Sequence, residues 1–321
     1  EADIWREGRR KQYHYLSISE AVLQVFTGLI YIYVCLKALG GAFGLGNIAQ
    51  YVAAVTGLSA GIRGLISLIG ELRINNIYME KTIYKIGKKF RKAMKDYGLI
   101  DDGDKVLIGL SGGKDSLALV EFLAERSRVF KPRFSVVAAH VSMENIPYQA
   151  DIEYLKNYCE SFGVPFYHVT TSFDPSTDKR KSPCFLCSWN RRKKLFDLAK
   201  ELGCTKIALG HHQDDILATL LMNLTFQGAF ATMPPRLYMN KVDVDIIRPL
   251  CLVPEADIVE YAKLRELKKQ IKNCPYEQDS NRHDMQKVMD LLEKMNPEAR
   301  HSLWGAMTNI QSDYLPILKD E

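Results

Sequence analysis

The residues best placed to do chemistry form one hexapeptide, Ser111-Gly112-Gly113-Lys114-Asp115-Ser116. It follows the uncharged run Val106–Leu110, which predicts a buried strand of a parallel sheet, and it precedes a stretch that predicts a helix. A glycine pair at such a turn lets backbone N–H groups approach an anion, while the helix dipole and the Lys114 ammonium favour negative charge there. The Walker A spacing is absent. We therefore predict a phosphate cradle of another type, in preference to an ordinary Gly-Gly turn.

A second candidate segment follows the predicted strand Lys206–Gly210 and reads Gly210-His211-His212-Gln213-Asp214-Asp215. Adjacent carboxylates beside a bound phosphate ligand fit Mg²⁺ coordination, whereas at a helix N-terminus they would complement the helix dipole. We favour coordination by Asp214 and Asp215 together with Asp115, although Asp115 would also suit a helix cap. A histidine of this segment would contact the phosphate groups.

A pair of thiols shares one helix face in Pro183-Cys184-Phe185-Leu186-Cys187, because proline suits a first helical turn and residues three apart are neighbours. The spacing fits a redox dithiol, a zinc site, an iron–sulfur edge or two buried small hydrophobes. A zinc site would need two more ligands, and the sequence has no second C-x-x-C. The best third thiol is Cys274. Three other cysteines are expected to be core thiols: Cys159, Cys204 and Cys251.

The composition is that of a folded protein with reduced thiols. The chain has 321 residues, of which 47% are hydrophobic and 25% charged, and this allows one large domain or two. A net charge of +5 permits a polyanionic partner without requiring one. Seven scattered cysteines do not resemble a secreted disulfide framework, so a cytoplasmic location is expected.

Strand and helix patterns alternate along the middle of the chain. The predicted strands are Val106–Leu110, Phe134–Val141, Pro165–Thr171, Lys206–Gly210 and Asp245–Leu250, with a helix over Pro147–Phe162. This alternation predicts an α/β fold with a doubly wound, five-stranded parallel sheet. Ligands bind beyond the carboxyl ends of such strands. A phosphate ligand is therefore expected to contact Ser111–Ser116, His140, Gly210 and His211, close to the start of the Cys184 helix.

The first 78 residues have a different character. The runs Ala21–Leu36 and Ala38–Ile62 carry no charge, and each approaches the length of about 20 residues that a bilayer span needs. Cationic residues flank the two runs: Arg6, Arg9, Arg10, Lys11, Arg73 and Lys81. This pattern predicts a membrane hairpin over residues 21–70 with both ends in the cytoplasm. The alternative is a pair of soluble helices packed on each other or on the rest of the protein.

The hexapeptide is the signature of the PP-loop ATP pyrophosphatases, and from about Met79 to Pro316 the chain resembles one group of them, the tRNA 2-thiocytidine synthetases. Four motifs carry this resemblance in order: Pro183–Cys187, Gly210–Asp215, Met233-Pro234-Pro235 and Ile247-Arg248-Pro249-Leu250. It implies an adenine nucleotide α-hydrolase-like fold, ATP and Mg²⁺, and a 4Fe-4S cluster on Cys184, Cys187 and Cys274. The family often has a further cysteine three residues after the third ligand, where this chain has Glu277.

The resemblance also implies an activity. A tRNA sulfurtransferase would adenylate C2 of an anticodon-loop cytidine and replace its oxygen by sulfur, with Lys114, Asp115, Cys184 and Cys187 as catalytic residues. Its partners would be tRNA, a sulfur donor such as a cysteine desulfurase, and a second copy of the chain in a homodimer. Basic residues around the cysteines would guide the tRNA backbone: Arg180, Lys181, Arg191, Arg192, Lys193 and Lys194. The open alternatives are uridine thiolation, lysidine synthesis, a nucleotide sensor and a membrane-transport component.

Three regions are expected: a hydrophobic helical segment over 1–78, an ATP-binding domain over 79–253, and a helical region over 254–321 that carries Cys274. Residues 1–78 faintly resemble the last two membrane helices of an ABC exporter, through their Gly-rich turn between Lys37 and Gly46. Because the chain begins with Glu1, we expect a fragment or processed product. Because no Walker A motif of an exporter follows them, residues 1–78 are expected to be a fusion remnant, with Met79 the natural start of the enzyme.

Overall fold

The computed structural model describes residues 2–42, 44–145, 150–173, 183–268 and 281–315. The chain forms two compact units, Glu1–Tyr84 and Lys85–Glu321. The described part of the first unit is helical apart from the connection between its two helices, whereas the second unit contains a β-sheet.

The first unit is a helical hairpin with polar groups between its helices and apolar groups outside. Helix α1 covers Ala2–Leu39, and α2 covers Leu45–Asp96, so that the end of α2 belongs to the second unit. The polar contacts between the helices are Thr27 with Ser59 (3.0 Å), Tyr31 with Thr56 (2.8 Å) and Glu20 with Arg63 (3.9 Å). Large apolar side chains that are more than half exposed include Val25, Leu29, Ile32, Leu58, Leu65 and Leu68.

Two helical segments of this hairpin are long and apolar enough to cross a membrane, judged by length and composition: Ser17–Leu39 and Gly46–Asp96. Only 6% of each apolar window is buried. Met79 lies inside α2, so the expected boundary after residue 78 does not coincide with the end of a helix.

The second unit is built on one six-stranded sheet. Its strands are β1 (Lys105–Gly109), β2 (Ser135–Met143), β3 (Phe166–Thr171), β4 (Lys206–Ala208), β5 (Arg236–Met239) and β6 (Val244–Ile247). They lie in the order β3-β2-β1-β4-β6-β5, and all neighbouring pairs are parallel except β5 with β6. The five predicted strands are therefore present and parallel, and the antiparallel edge strand β5 was not predicted.

The connecting helices follow the predicted alternation with shifted boundaries. They are α3 (Lys114–Ser127), α4 (Ile152–Ser161), α5 (Pro183–Glu201), α6 (Gln213–Met222), α7 (Glu255–Leu264), α8 (Asn281–Met295) and α9 (Ala299–Ala306). The predicted start of α4 at Pro147 lies outside the described residues. The helix begins at Ile152 because the Asp151 carboxylate caps it, accepting a hydrogen bond from the Tyr154 N–H at 3.0 Å.

Helices cover both faces of the sheet. On one face, Leu107 of β1 packs with residues of α5, including Leu195 and Leu198. Its neighbours Val106 and Ile108 are also fully buried, and because strand side chains alternate between faces they must be covered from the other side. Helices α8 and α9 pack elsewhere, against α6, in a separate apolar cluster that includes Leu217 and Met289.

The order of the strands creates a crevice at one edge of the sheet. The chain passes from β1 outward to β2 and β3, and then returns to β4 on the other side of β1. The segments after β1 and β4 therefore diverge from adjacent strands at the carboxyl edge, which is where open α/β sheets bind ligands.

A buried cation ties the opposite edge of the sheet together. Lys206 at the start of β4 is 2% exposed, and its Nζ lies 2.9 Å from Asp101 Oδ2, 3.2 Å from Asp104 Oδ2 and 3.5 Å from Asp245 Oδ2. Asp101 and Asp104 belong to the turn before β1, and Asp245 is the register partner of Lys206 on β6. One ammonium thus links three strands.

We expect Lys206→Met to lower the free energy of unfolding by about 3 kcal/mol, because it removes the ammonium from the largely buried Asp104 carboxylate and leaves Asp245 to Arg236 alone. Lys268→Met is the matched control, since Lys268 and its partner Asp151 are both exposed and such a pair contributes about 0–1 kcal/mol. Urea unfolding of both variants measures the difference. Equal losses in the two variants would contradict the linking role of Lys206.

Candidate active site

The predicted phosphate cradle joins β1 to α3. Leu110 continues the pairing of β1 with β2, and its N–H donates to Ala139 O at 2.8 Å. Gly112 then takes a positive φ of 85°, which turns the backbone toward the helix. Helix α3 begins after Gly113 with no side-chain cap among the described residues. The first N–H groups of α3 are therefore left for an anion.

The two hydroxyls of the cradle hold its shape. Ser116 Oγ donates to Gly113 O at 2.9 Å, and the Gly113 N–H donates to Ser111 Oγ at 3.3 Å. The two hydroxyl oxygens are 3.1 Å apart. These bonds fix the loop without consuming the amide groups at the start of α3.

Gly210 brings the second candidate segment against the cradle. A Cβ atom at this position would lie 3.0 Å from both Asp115 C and Ser116 N. The Leu209 N–H donates to Ile247 O at 3.0 Å, so the chain leaves β4 still paired with β6. The contact therefore joins the backbone after β4 directly to the first turn of α3.

Lys114 lies between two carboxylates. Its Nζ is 3.2 Å from Asp115 Oδ1 and 2.8 Å from Glu255 Oε1. Burial alone would lower the pKa of Lys114, but the two carboxylates outweigh burial and raise this pKa above its usual value. Lys114 is therefore a permanent cation at the cradle. Glu255, the first residue of α7, was not predicted from the sequence.

A buried histidine gathers the acidic residues of the site. His212 is 5% exposed and caps α6, while the Asp215 carboxylate accepts a hydrogen bond from the His212 N–H at 3.1 Å. The imidazole nitrogens approach four carboxylates: Asp115 (3.7 Å), Asp214 (3.8 Å), Asp215 (3.5 Å) and Glu255 (3.9 Å). No group of three potential ligands among the described residues is arranged to chelate a metal alone.

The two adjacent acids, Asp214 and Asp215, differ in their surroundings. Asp214 is 5% exposed, and its carboxylate accepts hydrogen bonds from Arg300 Nη1 at 2.6 Å and from the Glu255 N–H at 2.7 Å. Burial would raise the pKa of Asp214, but these two donors lower it below the usual value. The Arg300 bond also connects α9 to the start of α6. Arg300 was not predicted as part of the site.

His140 lies in the second half of β2, beside the cradle. It is 2% exposed, and its Nδ1 lies 2.7 Å from Leu110 O. Because a carbonyl only accepts, Nδ1 carries the proton, and burial lowers the pKa of His140 to about 4. Nε2 is then an acceptor, and it has no hydrogen-bond partner among the described residues. His211 lies partly buried in the loop after β4.

The cysteine pair opens α5 at the carboxyl edge of the sheet. Cys184 is exposed, whereas Cys187 is partly buried against Met143, the last residue of β2, and Phe173, which follows β3. The cradle and the thiols therefore lie at the same edge. Cys159, Cys204 and Cys251 are buried, as expected for core thiols. Three residues assigned from the sequence lie outside the described residues: Arg180, Lys181 and Cys274.

Two further motifs contact each other through a buried arginine. Arg248, in the motif after β6, is 6% exposed. Its N–H donates to Pro235 O at 2.8 Å, and its guanidinium donates to Pro234 O at 2.5 Å. The Met-Pro-Pro segment is thereby fixed to the end of β6.

Comparison with known proteins agrees with this geometry. A family model described as a PP-loop domain matches residues 82–287. The chain is 35% identical over 242 residues to the tRNA-cytidine(32) 2-sulfurtransferase of Acinetobacter baumannii (strain ACICU), a match that covers 72% of this chain and 79% of that protein. It is 37% identical over 245 residues to the protein of the same name from Neisseria meningitidis serogroup A, covering 72% and 75%.

A solved structure with a similar fold is the U34-tRNA thiolase NcsA from Methanococcus maripaludis with its [4Fe-4S] cluster. The TM-score is 0.58 and the sequence identity 28%, over 74% of this chain and 81% of that one. The similarity therefore extends beyond the ATP-binding loop to most of the second unit.

We expect Gly210→Ala to weaken ATP binding at least about tenfold, because the added Cβ would push the backbone of Asp115 and Ser116 out of place. Gly109→Ala is the matched control: its Cβ would meet the ends of the Leu209 and Leu195 side chains, at 3.0 and 3.1 Å, and these can rotate. Calorimetric titration with ATP measures both. If Gly210→Ala, still folded by circular dichroism, binds ATP as the wild type does, the contact does not shape the cradle.

Proposed function

Because this chain belongs to the tRNA 2-thiocytidine synthetase family of PP-loop proteins, we propose that it uses ATP and sulfide to convert an anticodon-loop cytidine of tRNA into 2-thiocytidine. The observation that carries the proposal is the common edge of the sheet, where the PP-loop after β1 and the cysteine pair of α5 both lie. An enzyme that activates a base and then delivers sulfur to it needs these two groups side by side.

The first step is adenylation of the base. The C2 oxygen of cytidine attacks the α-phosphorus of ATP, an O–P bond forms, and the bond to pyrophosphate breaks. The N–H groups at the start of α3 and the Lys114 ammonium bind the phosphate oxygens, on which negative charge develops. Lys114 would exchange its present contacts with Asp115 and Glu255 for contacts with the nucleotide.

The Mg²⁺ ion that accompanies ATP is assigned to Asp115 and Asp215, with phosphate oxygens and water completing its ligands. Their carboxylates both face the His212 imidazole, at 3.7 and 3.5 Å. Asp214, the third acid assigned from the sequence, supports this arrangement indirectly, because its oxygens hold Arg300 and the Glu255 N–H. Gly210, His140 and His211 are assigned to the walls of the nucleotide site.

The residues present fit an iron–sulfur cluster. Cys184 and Cys187 are three residues apart on one helix, and Cys187 is partly sheltered by Met143 and Phe173. With Cys274 as third ligand, a bound 4Fe-4S cluster would supply an iron atom with an open position that can carry sulfide. The protein's own part is to hold the adenylated base at this edge while sulfide adds to C2 and AMP leaves.

Membership of this family also supports a cellular location and a sulfur source for the reaction. The second unit works in the cytoplasm, where a sulfur donor such as a cysteine desulfurase provides the sulfide and thiols stay reduced. A homodimer, expected from the sequence, stays a prediction.

The decisive experiment is mass spectrometry of tRNA nucleosides from a strain lacking this gene, before and after it is restored. We expect 2-thiocytidine to disappear and return. Cys184→Ser, Cys187→Ser and Cys274→Ser should each fail to restore it and should lose iron after anaerobic purification. Cys35→Ser, which removes an exposed thiol of the first unit, should behave as wild type. Unchanged 2-thiocytidine in the deletion strain would refute the activity.

We further propose that residues 21–70 form a membrane hairpin that attaches the enzyme to the cytoplasmic side of a bilayer. The support is the reversed polarity of the hairpin, with hydroxyl contacts between the helices and leucines outside. Lipid tails are as apolar as these side chains, so exposing the outer faces of the helices to lipid costs no free energy.

For this hairpin we expect the full chain to float with phospholipid vesicles in a density gradient. Leu29→Asp should reduce the floating fraction, because a carboxylate near the bilayer centre costs about 3 kcal/mol. Val129→Asp, at a 52% exposed apolar position of the second unit, is the control and should float normally. Wild-type protein that stays at the bottom of the gradient would exclude the attachment.

A further inference from the structure

The helix that carries the two cysteines presents a row of aromatic and basic side chains to solvent. Its exposed members recur at helical spacing on one side of α5: Phe185, Ser188, Trp189, Arg192 and Lys193. We call this row the α5 stripe. Phe185 is 41% exposed and Trp189 49%, and Lys193 Nζ lies 5.6 Å from the centroid of the Trp189 ring.

The charge of the α5 stripe is one-sided. From Pro183 to Phe196 the helix contains four basic residues and no acid: Arg191, Arg192, Lys193 and Lys194. Single exposed aromatic residues are common on protein surfaces and need no explanation. Two of them one turn apart, beside a run of cations that is followed by an acid only at Asp197 and next to the exposed Cys184, form a combination that fits a specific class of ligand.

We propose that the α5 stripe is the surface on which unpaired bases of the substrate RNA stack, with Trp189 and Phe185 under neighbouring bases and Arg192 and Lys193 on the sugar-phosphate backbone. The inference rests on the proposed function and narrows it: the enzyme would recognise the single-stranded loop of the tRNA rather than a paired stem. Aromatic faces accept any base, and cations beside them hold the strand.

The spacing along the helix agrees with this use. Phe185 and Trp189 are separated by four residues, a rise of about 6 Å, which suits the bases of adjacent nucleotides in a splayed single strand. Phe185 directly follows Cys184 in the sequence. A base stacked there would therefore lie close to one of the two described cysteines that are proposed to hold the cluster.

The charge pattern disfavours two other occupants. A second copy of the chain, docked through the same surface, would bring Arg192 and Lys193 against their own counterparts, and such like-charge contacts are costly. An anionic lipid surface would satisfy the cations, but it offers no reason for aromatic residues beside the cysteine pair. RNA satisfies both features.

The test measures binding of a fluorescein-labelled anticodon stem-loop RNA by anisotropy, using the anaerobically purified full chain. We expect Trp189→Ala to weaken binding about tenfold, the effect of losing one stacked base. Trp189→Phe, which keeps a flat ring, should stay within about threefold of the wild type. The same RNA annealed to its complement should bind all three proteins alike, because its bases are not available for stacking.

The matched control is Phe130→Ala. Phe130 is 68% exposed and also has a cation over its ring, with Arg133 Cζ 4.6 Å from the centroid, but it precedes β2 and so lies at the other edge of the sheet. This variant should bind the loop RNA as the wild type does. In addition, the loop RNA should quench tryptophan emission of the wild type but not of Trp189→Phe, which a merely structural role for Trp189 would not predict.

Several results would overturn the inference. Trp189→Ala could bind loop RNA as tightly as the wild type, or its affinity for duplex RNA could fall as much as its affinity for loop RNA. The substitution could also convert a dimer into a monomer, as measured by light scattering. Finally, it could abolish binding to phosphatidylserine vesicles while leaving RNA binding unchanged. The wild type is assayed for tRNA thiolation in parallel. If it thiolates tRNA while Trp189→Ala binds normally, only the stacking surface fails. If it neither thiolates nor binds tRNA, the proposed function fails and the stacking surface with it.

Discussion

The active edge of this protein depends on the contact between the Gly210 backbone and the first turn of α3. β1 and β4 are neighbouring parallel strands, so the segments that follow them leave the sheet about 4.8 Å apart. A side chain at residue 210 would occupy the space in which Asp115 and Ser116 lie. The missing Cβ therefore lets the cradle, His212 and the acids of α6 share one crevice.

Charge is balanced in this crevice in a way that depends on the nucleotide. Lys114 is held by Asp115 and Glu255, and Asp214 is neutralised by Arg300, but Asp215 and Glu255 add further negative charge around His212. A triphosphate brought here alone would meet repulsion from these carboxylates. The arrangement therefore favours ATP that arrives with a divalent cation, since the ion neutralises both the phosphates and the nearby acids.

Features that depend on local sequence were predictable, and those that depend on distant contacts were not. The hexapeptide, the buried parallel strands and the cysteine helix each follow from short patterns of residue type. Glu255 contacts Lys114, which lies 141 residues earlier in the chain, and Arg300 contacts Asp214, which lies 86 residues earlier. No local sequence pattern predicts partners that are so far apart. Strand β5 was missed because it has four residues and is mostly exposed, so it lacks the apolar run of a buried strand.

Burial distinguishes the roles that the cysteines of this chain can have. Burial raises the pKa of Cys159 and Cys251 to about 12, so these thiols stay protonated and unreactive inside the fold. Cys184 is exposed, and Cys187 is only partly buried where β2 and β3 end. Because the thiolate is the form that binds metal, burial distinguishes the core cysteines of the second unit from Cys184 and Cys187. In the described part of that unit, the accessible thiols lie at the same edge of the sheet as the phosphate cradle.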